Sequence, residues 1–449
     1  MKKTVRNCQF FISCGKIESI YYVKGEPLMG VAKDIFTGVA MALTAVGALV
    51  VTATMLSWAG ANFAAAYTAG AIMSLLGTLL LSRQGLSLVV MPSVTVTAYL
   101  VFIIAISNGL GWQQILGISA AGSVLGTGFW LWASRHRQNL LPPALCWGIC
   151  LAVAVYLIVQ GLNLGRIIVT SPWSVTMVGG FYDPLAYWSL VGIILTLALA
   201  ARRCRLALFY GMAFTLAATL LEGFWVIPAA PFFLPEGLDT SVGQLTGAAG
   251  TDKELWLFGL TSLCLPVCLG TINASSIMAF APAAGRQQQC KGAGTLSALG
   301  IVGALLGTTP LAVAPTAAAS QGAAGRYVTG GAAAVLLLAL FMEPLAAAWA
   351  DFPAMTVPVL VGSGFLLILR LSREIPLSAG EDTRRAELMS ITVMTLLLPL
   401  AHNFATALGA GIWGYIIFMV FAGRARDISR CMVAGGALFA FYFAYSMFI

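Results

Sequence analysis

Two dipeptides carry most of the chemistry this chain offers: Pro92-Ser93 and Pro315-Thr316. Each divides a short β-prone apolar stretch from a helix-compatible one, in LSLVVMPSVTVTAYLVFIIA (Leu86–Ala105) and TPLAVAPTAAASQGAAG (Thr309–Gly325). Proline removes a backbone donor and pushes the preceding residue toward extended geometry. The hydroxyl residue behind it is a good N-cap. A helix that starts there presents unpaired N–H groups and a partial positive charge. Those groups favour an anion or a ligand rich in hydrogen-bond acceptors. The plainer account of each is an ordinary proline kink.

The residues that would join such a site are uncharged. Ser93, Val94, Thr95 and Thr97 stand at the first break, Thr316 and Ala317 at the second, and Thr271 and Asn273 in the apolar run LGTINASS. An amide offers donors and an acceptor suited to a heterocycle edge, and burying it unpaired costs about 1–3 kcal/mol. The alternative for Asn273 is an interhelical hydrogen bond, worth about 0.6–2 kcal/mol in membranes. Ser275, Ser276 and Gln321 read as packing contacts. His402 is the one imidazole in a span-like region. It either shuttles protons or caps a helix break beside Pro399 and Asn403. The nine cysteines are scattered; Cys146/Cys150 and Cys264/Cys268 sit one turn apart in apolar runs without a nearby His or acid. That spacing reads as packing rather than metal or disulfide chemistry. No catalytic triad, metal cluster or lysine-bearing phosphate loop is present, so neither an enzyme nor a cofactor is expected.

The elements that must hold these residues follow from composition. Of 449 residues, 59% are hydrophobic and only 9% charged, and mean hydropathy is +0.92. A soluble domain is about 25% charged. The balance excludes a soluble enzyme, a disordered chain and a nucleic-acid-binding module, and implies a polytopic membrane protein. A helix needs about 20 apolar residues to cross the hydrocarbon. Runs of that kind lie at 34–57, 62–81, 112–133, 143–161, 184–201, 204–221, 255–280, 292–307, 330–348, 354–370, 387–402, 404–422 and 431–448. With the interrupted runs 86–107 and 311–328 the total is fourteen or fifteen elements, all helical apart from the short strands before the two prolines. No cleavable signal peptide is visible.

Charge sets the expected orientation. With the N-terminus (Lys2, Lys3, Arg6) in the cytoplasm and sides alternating, nearly every Lys and Arg falls inside, and only Arg166 and Lys253 fall outside. The net charge of +8 then records basic cytoplasmic loops rather than an acidic partner. The longest external loop, 223–254, is acidic. Trp58, Trp112, Trp173, Trp225, Trp256 and Trp349 fall near outer ends, as an aromatic belt requires. Seven elements precede residue 222 and seven follow in 255–422, so the halves should be inverted. The two broken segments are third in each half. Discontinuous helices at corresponding places of inverted repeats mark a midplane transport site. Asp34, Glu222, Glu343 and Asp351 fall near span ends and the remaining acids in loops or termini, so no mid-span carboxylate is available as a proton relay.

On VMPSVTVTAYL (Val90–Leu100), LGTINASS (Leu269–Ser276), GTTPLAVAPTAAA (Gly307–Ala319) and MTLLLPLAHNFATALGAGIWGYI (Met394–Ile416), the chain resembles the nucleobase/ascorbate permease superfamily, and most nearly its adenine/guanine/hypoxanthine branch. The resemblance implies two inverted seven-element repeats (34–222 and 255–422), flanked by an N-terminal segment (1–33) and a C-terminal loop and helix (423–449). It implies a core domain from 34–133 and 255–348 and a gate domain from 143–221 and 354–422, with substrate between the third and tenth elements. Pro92, Ala98 and Tyr99 keep the branch pattern. The usual acids do not: Cys264 and Val267 precede Gly270-Thr271, and Thr316 stands where the branch has a base-contacting glutamate. Thr97 replaces an asparagine, and His402 a common tyrosine.

The sequence therefore predicts a multi-pass inner-membrane permease for a purine-like molecule. Its partners would be that substrate and the lipid bilayer, with a homodimer left open and no nucleic acid. A sulfate-permease-like anion carrier and a transport-inactive scaffold or sensor on the same fold remain the alternatives.

Overall fold

A computed structural model describes residues 28–136, 142–171, 176–247, 252–281, 284–316, 325–372 and 375–446. Among them are fifteen helices: α1 (Leu28–Trp58), α2 (Phe63–Arg83), α3 (Val94–Ala98), α4 (Trp112–His136), α5 (Pro143–Leu164), α6 (Pro184–Ala201), α7 (Ala207–Leu221), α8 (Asp252–Phe280), α9 (Arg286–Leu306), α10 (Arg326–Ala339), α11 (Glu343–Asp351), α12 (Val357–Leu371), α13 (Glu381–Ala401), α14 (Phe404–Phe421) and α15 (Arg430–Ser446). Strands β1 (Val90–Pro92) and β4 (Leu311–Val313) form a buried two-stranded ribbon, while β2 (Ile168–Val169) and β3 (Met177–Val178) form a small hairpin. Among the described residues eight helices are long and apolar enough to cross a membrane, or nine if the bent pair α10–α11 is one span.

The ends of these helices are set by residues that local chemistry would choose. Asn62 and Asp183 cap α2 and α6 by accepting from the Ala64 and Leu185 amides. Pro143 and Pro184 open α5 and α6, where a missing N–H costs nothing. Gly307 ends α9 at φ +103 and turns the chain into β4. A Cβ there would also lie 2.6 Å from the Ser241 Cβ, so only glycine fits. α4 packs on α8 and α9, and α1 on α10 and α2; α12 packs on α5 and α6, and α13 on α5 and α14.

The structure amends the sequence expectations at several points. The run 330–348 is two helices, bent by 84° at residues 340–342. Pro344 in the first turn of α11 denies the continuing helix a donor. The freed carbonyls are satisfied from elsewhere: Ala339 accepts from Tyr67 Oη at 2.9 Å and Phe341 from the Phe233 amide at 2.9 Å. Trp225 and Trp349 do not belong to an aromatic belt. They are 6% exposed and donate inward, to the Ala348 carbonyl at 3.0 Å and to Thr356 Oγ1 at 2.7 Å. Trp58 and Trp256 are exposed as expected, and Trp173 lies outside the described residues. Glu387 is no loop acid. It is buried near the start of α13 and accepts from the Ser378 amide (2.9 Å) and hydroxyl (2.6 Å), anchoring the α12–α13 loop.

A candidate binding cavity at the β1–β4 ribbon

Backbone at membrane depth must find partners within the protein, and the ribbon shows how this chain arranges that. β1 and β4 run antiparallel, with Val90 opposite Val313, Met91 opposite Ala312 and Pro92 opposite Leu311. The Ser93 amide donates to the Pro310 carbonyl at 3.0 Å and the Ala314 amide to Val89 at 2.9 Å. Side chains complete the set. Thr78 Oγ1 accepts from the Val90 amide at 3.1 Å, and Asn273 Nδ2 donates to the Leu311 carbonyl at 3.2 Å. Thr97 and Thr309 share a hydroxyl hydrogen bond of 2.6 Å beneath the ribbon. Gly77 of α2 lets Val90 approach closely, since a Cβ there would stand 3.0 Å from Val90 Cγ1.

The two proline breaks are thus at opposite ends of one ribbon, roughly 13 Å apart by strand rise, and the chain leaves them in opposite directions. Behind Pro92, Ser93 caps α3 by accepting from the Val96 amide at 3.4 Å, and its carbonyl accepts from Thr97 N at 2.8 Å. This leaves the Val94 and Thr95 amides at the position where a helix has no internal acceptor. Past Ala98 the helix widens to π geometry over Tyr99–Ser107, a form concentrated at functional sites. Behind Pro315, Thr316 is buried and its Oγ1 has no partner among the described residues. The helix expected from there, with Ala317 and Gln321, lies outside the described residues.

A narrow cavity, partly open at its mouth, lies against this ribbon. Its floor is Met91, Pro92, Ser93, Val94 and Thr95 with Ala312 to Pro315. Its walls are Ile272, Ser275, Ser276 and Phe280 of α8, the adjoining Ile149, Cys150, Val153 and Leu157 of α5, Leu367 of α12 and Ala48 of α1. Among the described lining residues none is charged. The polar side chains are Ser93, Thr95, Ser275, Ser276 and Cys150, the thiol within hydrogen-bonding reach of Ser275 and Ser276, and Val94 and Thr95, which open α3, are in the same lining.

Of the residues singled out by sequence, Ser93, Val94 and Thr95 line the cavity. Thr97, Thr271 and Asn273 do not. Thr97 is spent on Thr309 and Thr271 on the Cys268 carbonyl at 2.9 Å, while Asn273, wholly buried, gives its Nδ2 to the ribbon and leaves Oδ1 without a partner among the described residues. Helix phase explains the exchange: Ile272, Ser275 and Ser276 share one face of α8, and Asn273 points about 100° away. Sequence reasoning had set Ser275 and Ser276 aside as packing and Cys150 as inert. The signal available was the stripe Ile149, Cys150, Val153, Leu157, which follows one helical face.

His402 is outside the lining. It ends α13 at φ +49, its amide donating to Leu398 at 3.1 Å, and its ring meets Tyr156 and Phe102 edge-on at 5.7 and 6.2 Å. Asn403 caps α14 by accepting from the Thr406 amide at 3.0 Å. The described cysteines are all unbridged, and no group of three metal-ligating side chains occurs among the described residues.

No family model matches the chain. Whole-length relatives are nonetheless clear. It is 26% identical over 422 residues to the putative permease MJ0326 of Methanocaldococcus jannaschii, covering 92% of this chain and 94% of that protein. It is 25% identical to the guanine/hypoxanthine permease PbuO of Bacillus subtilis (92% and 97% covered) and 22% identical to the adenine permease AdeP of Escherichia coli (90% and 91%). Among solved structures, the fold resembles the transmembrane domain of the cyanobacterial bicarbonate transporter BicA, with a TM-score of 0.55, 14% identity and coverage of 84% and 98%. It also resembles murine Slc26a9, an anion transporter in the inward-facing state, with a TM-score of 0.57, 11% identity and coverage of 89% and 70%. The homologues of this chain are permeases of the nucleobase transporter family, and its fold is that of the anion-transporter membrane domains.

Proposed function

We propose that this homologue of the guanine, hypoxanthine and adenine permeases is itself a multi-pass membrane permease that carries a neutral purine-class nucleobase through the cavity at the β1–β4 ribbon. The observation that carries the reading is the lining. Apolar side chains from α5, α8 and α12 face a floor of hydroxyls and helix-opening amides, with no charge among the described lining residues. A flat heterocycle buries its faces against such walls and turns its acceptor edge to Ser93, Thr95 and the α3 amides. Ser276 and Cys150 meet another edge, while Thr316 stands one residue beyond the lining at Pro315. Asn273 and Thr97 hold the ribbon in register rather than touch substrate. A fixed anion is served less well by these walls, because desolvating a full charge needs more partners than a few hydroxyls.

In this reading residues 34–222 and 255–422 are inverted repeats, and the antiparallel β1–β4 pairing is their meeting point. Helices α1 to α4 and α8 to α11 form a core that moves against a gate of α5 to α7 and α12 to α14, exposing the cavity to each side in turn. The basic loops favour a cytoplasmic N-terminus, and in this reading the chain spans the inner membrane.

Uptake of labelled hypoxanthine, adenine and sulfate into proteoliposomes tests the assignment, with binding measured in parallel. Saturable hypoxanthine or adenine uptake is expected. Sulfate uptake without purine uptake would replace it with an anion carrier. Purine binding without flux would make the protein a sensor.

A further inference from the structure

Helix α15 lies beyond both proposed repeats, yet it touches each of the two bodies that the transport reading sets in relative motion. On the core side, Tyr445 Oη donates to the Lys253 carbonyl at the head of α8 at 2.9 Å, and Phe441 meets Trp256 edge-on at 6.3 Å. On the gate side, Phe439 packs on Gly409 of α14 so closely that a Cβ would stand 2.9 Å from its ring, and the Gly436 carbonyl accepts from Trp413 Nε1 at 3.0 Å. Between them sits Tyr442, 6% exposed. Its phenolic oxygen accepts from Tyr99 Oη at 3.4 Å and from Asn403 Nδ2 at 3.2 Å.

Both donors are placed where movement would be felt. Tyr99 is wholly buried and begins the π-helical stretch directly behind α3, whose N-terminus floors the cavity. Asn403 caps α14 at its break from α13. One hydroxyl therefore joins the α3 helix to the α13–α14 break. Buried donors lose most when their acceptor is withdrawn, since no water replaces it. Sliding the core past the gate must then break one of these two bonds.

We propose that Tyr442 is a positioning residue for transport: through Tyr99 and Asn403 it latches the core to the gate in the conformation described here, and so sets how often the cavity opens. The inference rests on the core-and-gate reading, but it does not need the substrate to be a purine. Tyr442 does not line the cavity, so its effect belongs to the opening step and not to ligand affinity.

Cys150 supplies a readout native to the chain, because it lines the cavity from α5 and is 3% exposed. Full-length protein in liposomes is treated with a membrane-permeant maleimide, and alkylation of the Cys150 peptide is followed by mass spectrometry. Tyr442→Phe keeps the ring and removes the acceptor. It is expected to raise the Cys150 labelling rate about three- to tenfold, the worth of one or two hydrogen bonds. The maximal hypoxanthine uptake rate should change with it, and KM should fall by no more than the factor by which labelling rises, because a cavity open more often binds more tightly in appearance. Tyr99→Phe removes only one donor, should move labelling the same way by less, and serves if Tyr442→Phe does not fold. The double variant should match Tyr442→Phe alone. Unchanged labelling in folded Tyr442→Phe or Tyr99→Phe overturns the latch, as does a KM change without a labelling change. If labelling shifts while hypoxanthine is not carried, the latch stands and only the substrate assignment fails.

Discussion

The chain breaks its helices at two places with the same local chemistry and opposite outcomes. At Pro92–Ser93 and at His402–Asn403 a proline lies close by, and a short polar side chain caps the new helix, Ser93 from the Val96 amide and Asn403 from Thr406. The first break opens on the cavity at the ribbon. The second is filled by the rings of Tyr156, Phe102 and His402 and by the Tyr442 hydroxyl. A discontinuous helix at membrane depth is therefore not a site by itself. It becomes a candidate site where neighbouring side chains stop short and where other residues, here Thr78 and Asn273, have already satisfied the broken backbone.

Filling the open break should have the largest effect. Ser276→Phe places a ring inside the cavity, and overpacking of about 1–3 kcal/mol predicts that uptake of labelled hypoxanthine falls about five- to 150-fold. Tyr156→Phe at the filled break removes a hydroxyl that has no partner among the described residues and should leave uptake as it was. Equal losses from both would erase the distinction between the breaks. Next in size is Asn273→Leu, which strips the Leu311 carbonyl of its partner. Thermal unfolding in detergent should report a loss of about 1–3 kcal/mol, with transport falling in proportion to folded protein. A variant of normal stability that no longer binds hypoxanthine would instead make Asn273 a substrate ligand.

A finer comparison uses glycine, which serves as an N-cap at a cost of only a few tenths of a kcal/mol. Ser93→Gly should melt nearly as the parent does, yet raise KM for hypoxanthine about two- to tenfold, the net worth of one hydrogen bond. Asn403→Gly should melt similarly and leave KM unchanged. If Ser93→Gly also leaves KM unchanged, its hydroxyl is a cap only and the amides of α3 bind alone.

The sequence exposed the breaks but not what faces them. Prolines, caps and apolar run lengths act over a few residues, so the β1–α3 junction and most helix limits could be read directly. The bend in 330–348 was legible too, in Glu343-Pro344, but the hydrophobic run masked it. The cavity walls depend on helix rotation, which run length does not encode. Along α8 a single residue separates Asn273, which braces the ribbon, from the cavity face carrying Ile272, Ser275 and Ser276. Amide chemistry favoured Asn273 as a ligand, whereas Ser276 carries a weaker chemical signal on the better face. Glu387 was missed for a related reason. A carboxylate nearly two turns inside a helix looks solvated until the loop that folds back over it, through Ser378, is in place.

The smallest expected effect concerns protons, and it bears on whether the filled break has any part in transport. Among the described residues that line the cavity there is no Asp, Glu or His, so substrate binding has no group there that titrates near neutrality. His402 is one candidate, 5.7 Å from the Tyr156 ring and with Nδ1 unpartnered among the described residues. Its backbone at φ +49 already gives it a task as the end of α13. Asparagine tolerates that left-handed conformation, so His402→Asn removes the titration while keeping the break. Between about pH 6 and about pH 8 the parent's initial uptake rate should vary less than about twofold, against up to about tenfold per unit where one titrating group limits the rate. His402→Asn should follow the same shallow curve. A steep curve that flattens in His402→Asn would move coupling to the second break, and the two breaks would then divide the work, one holding the substrate and the other the proton.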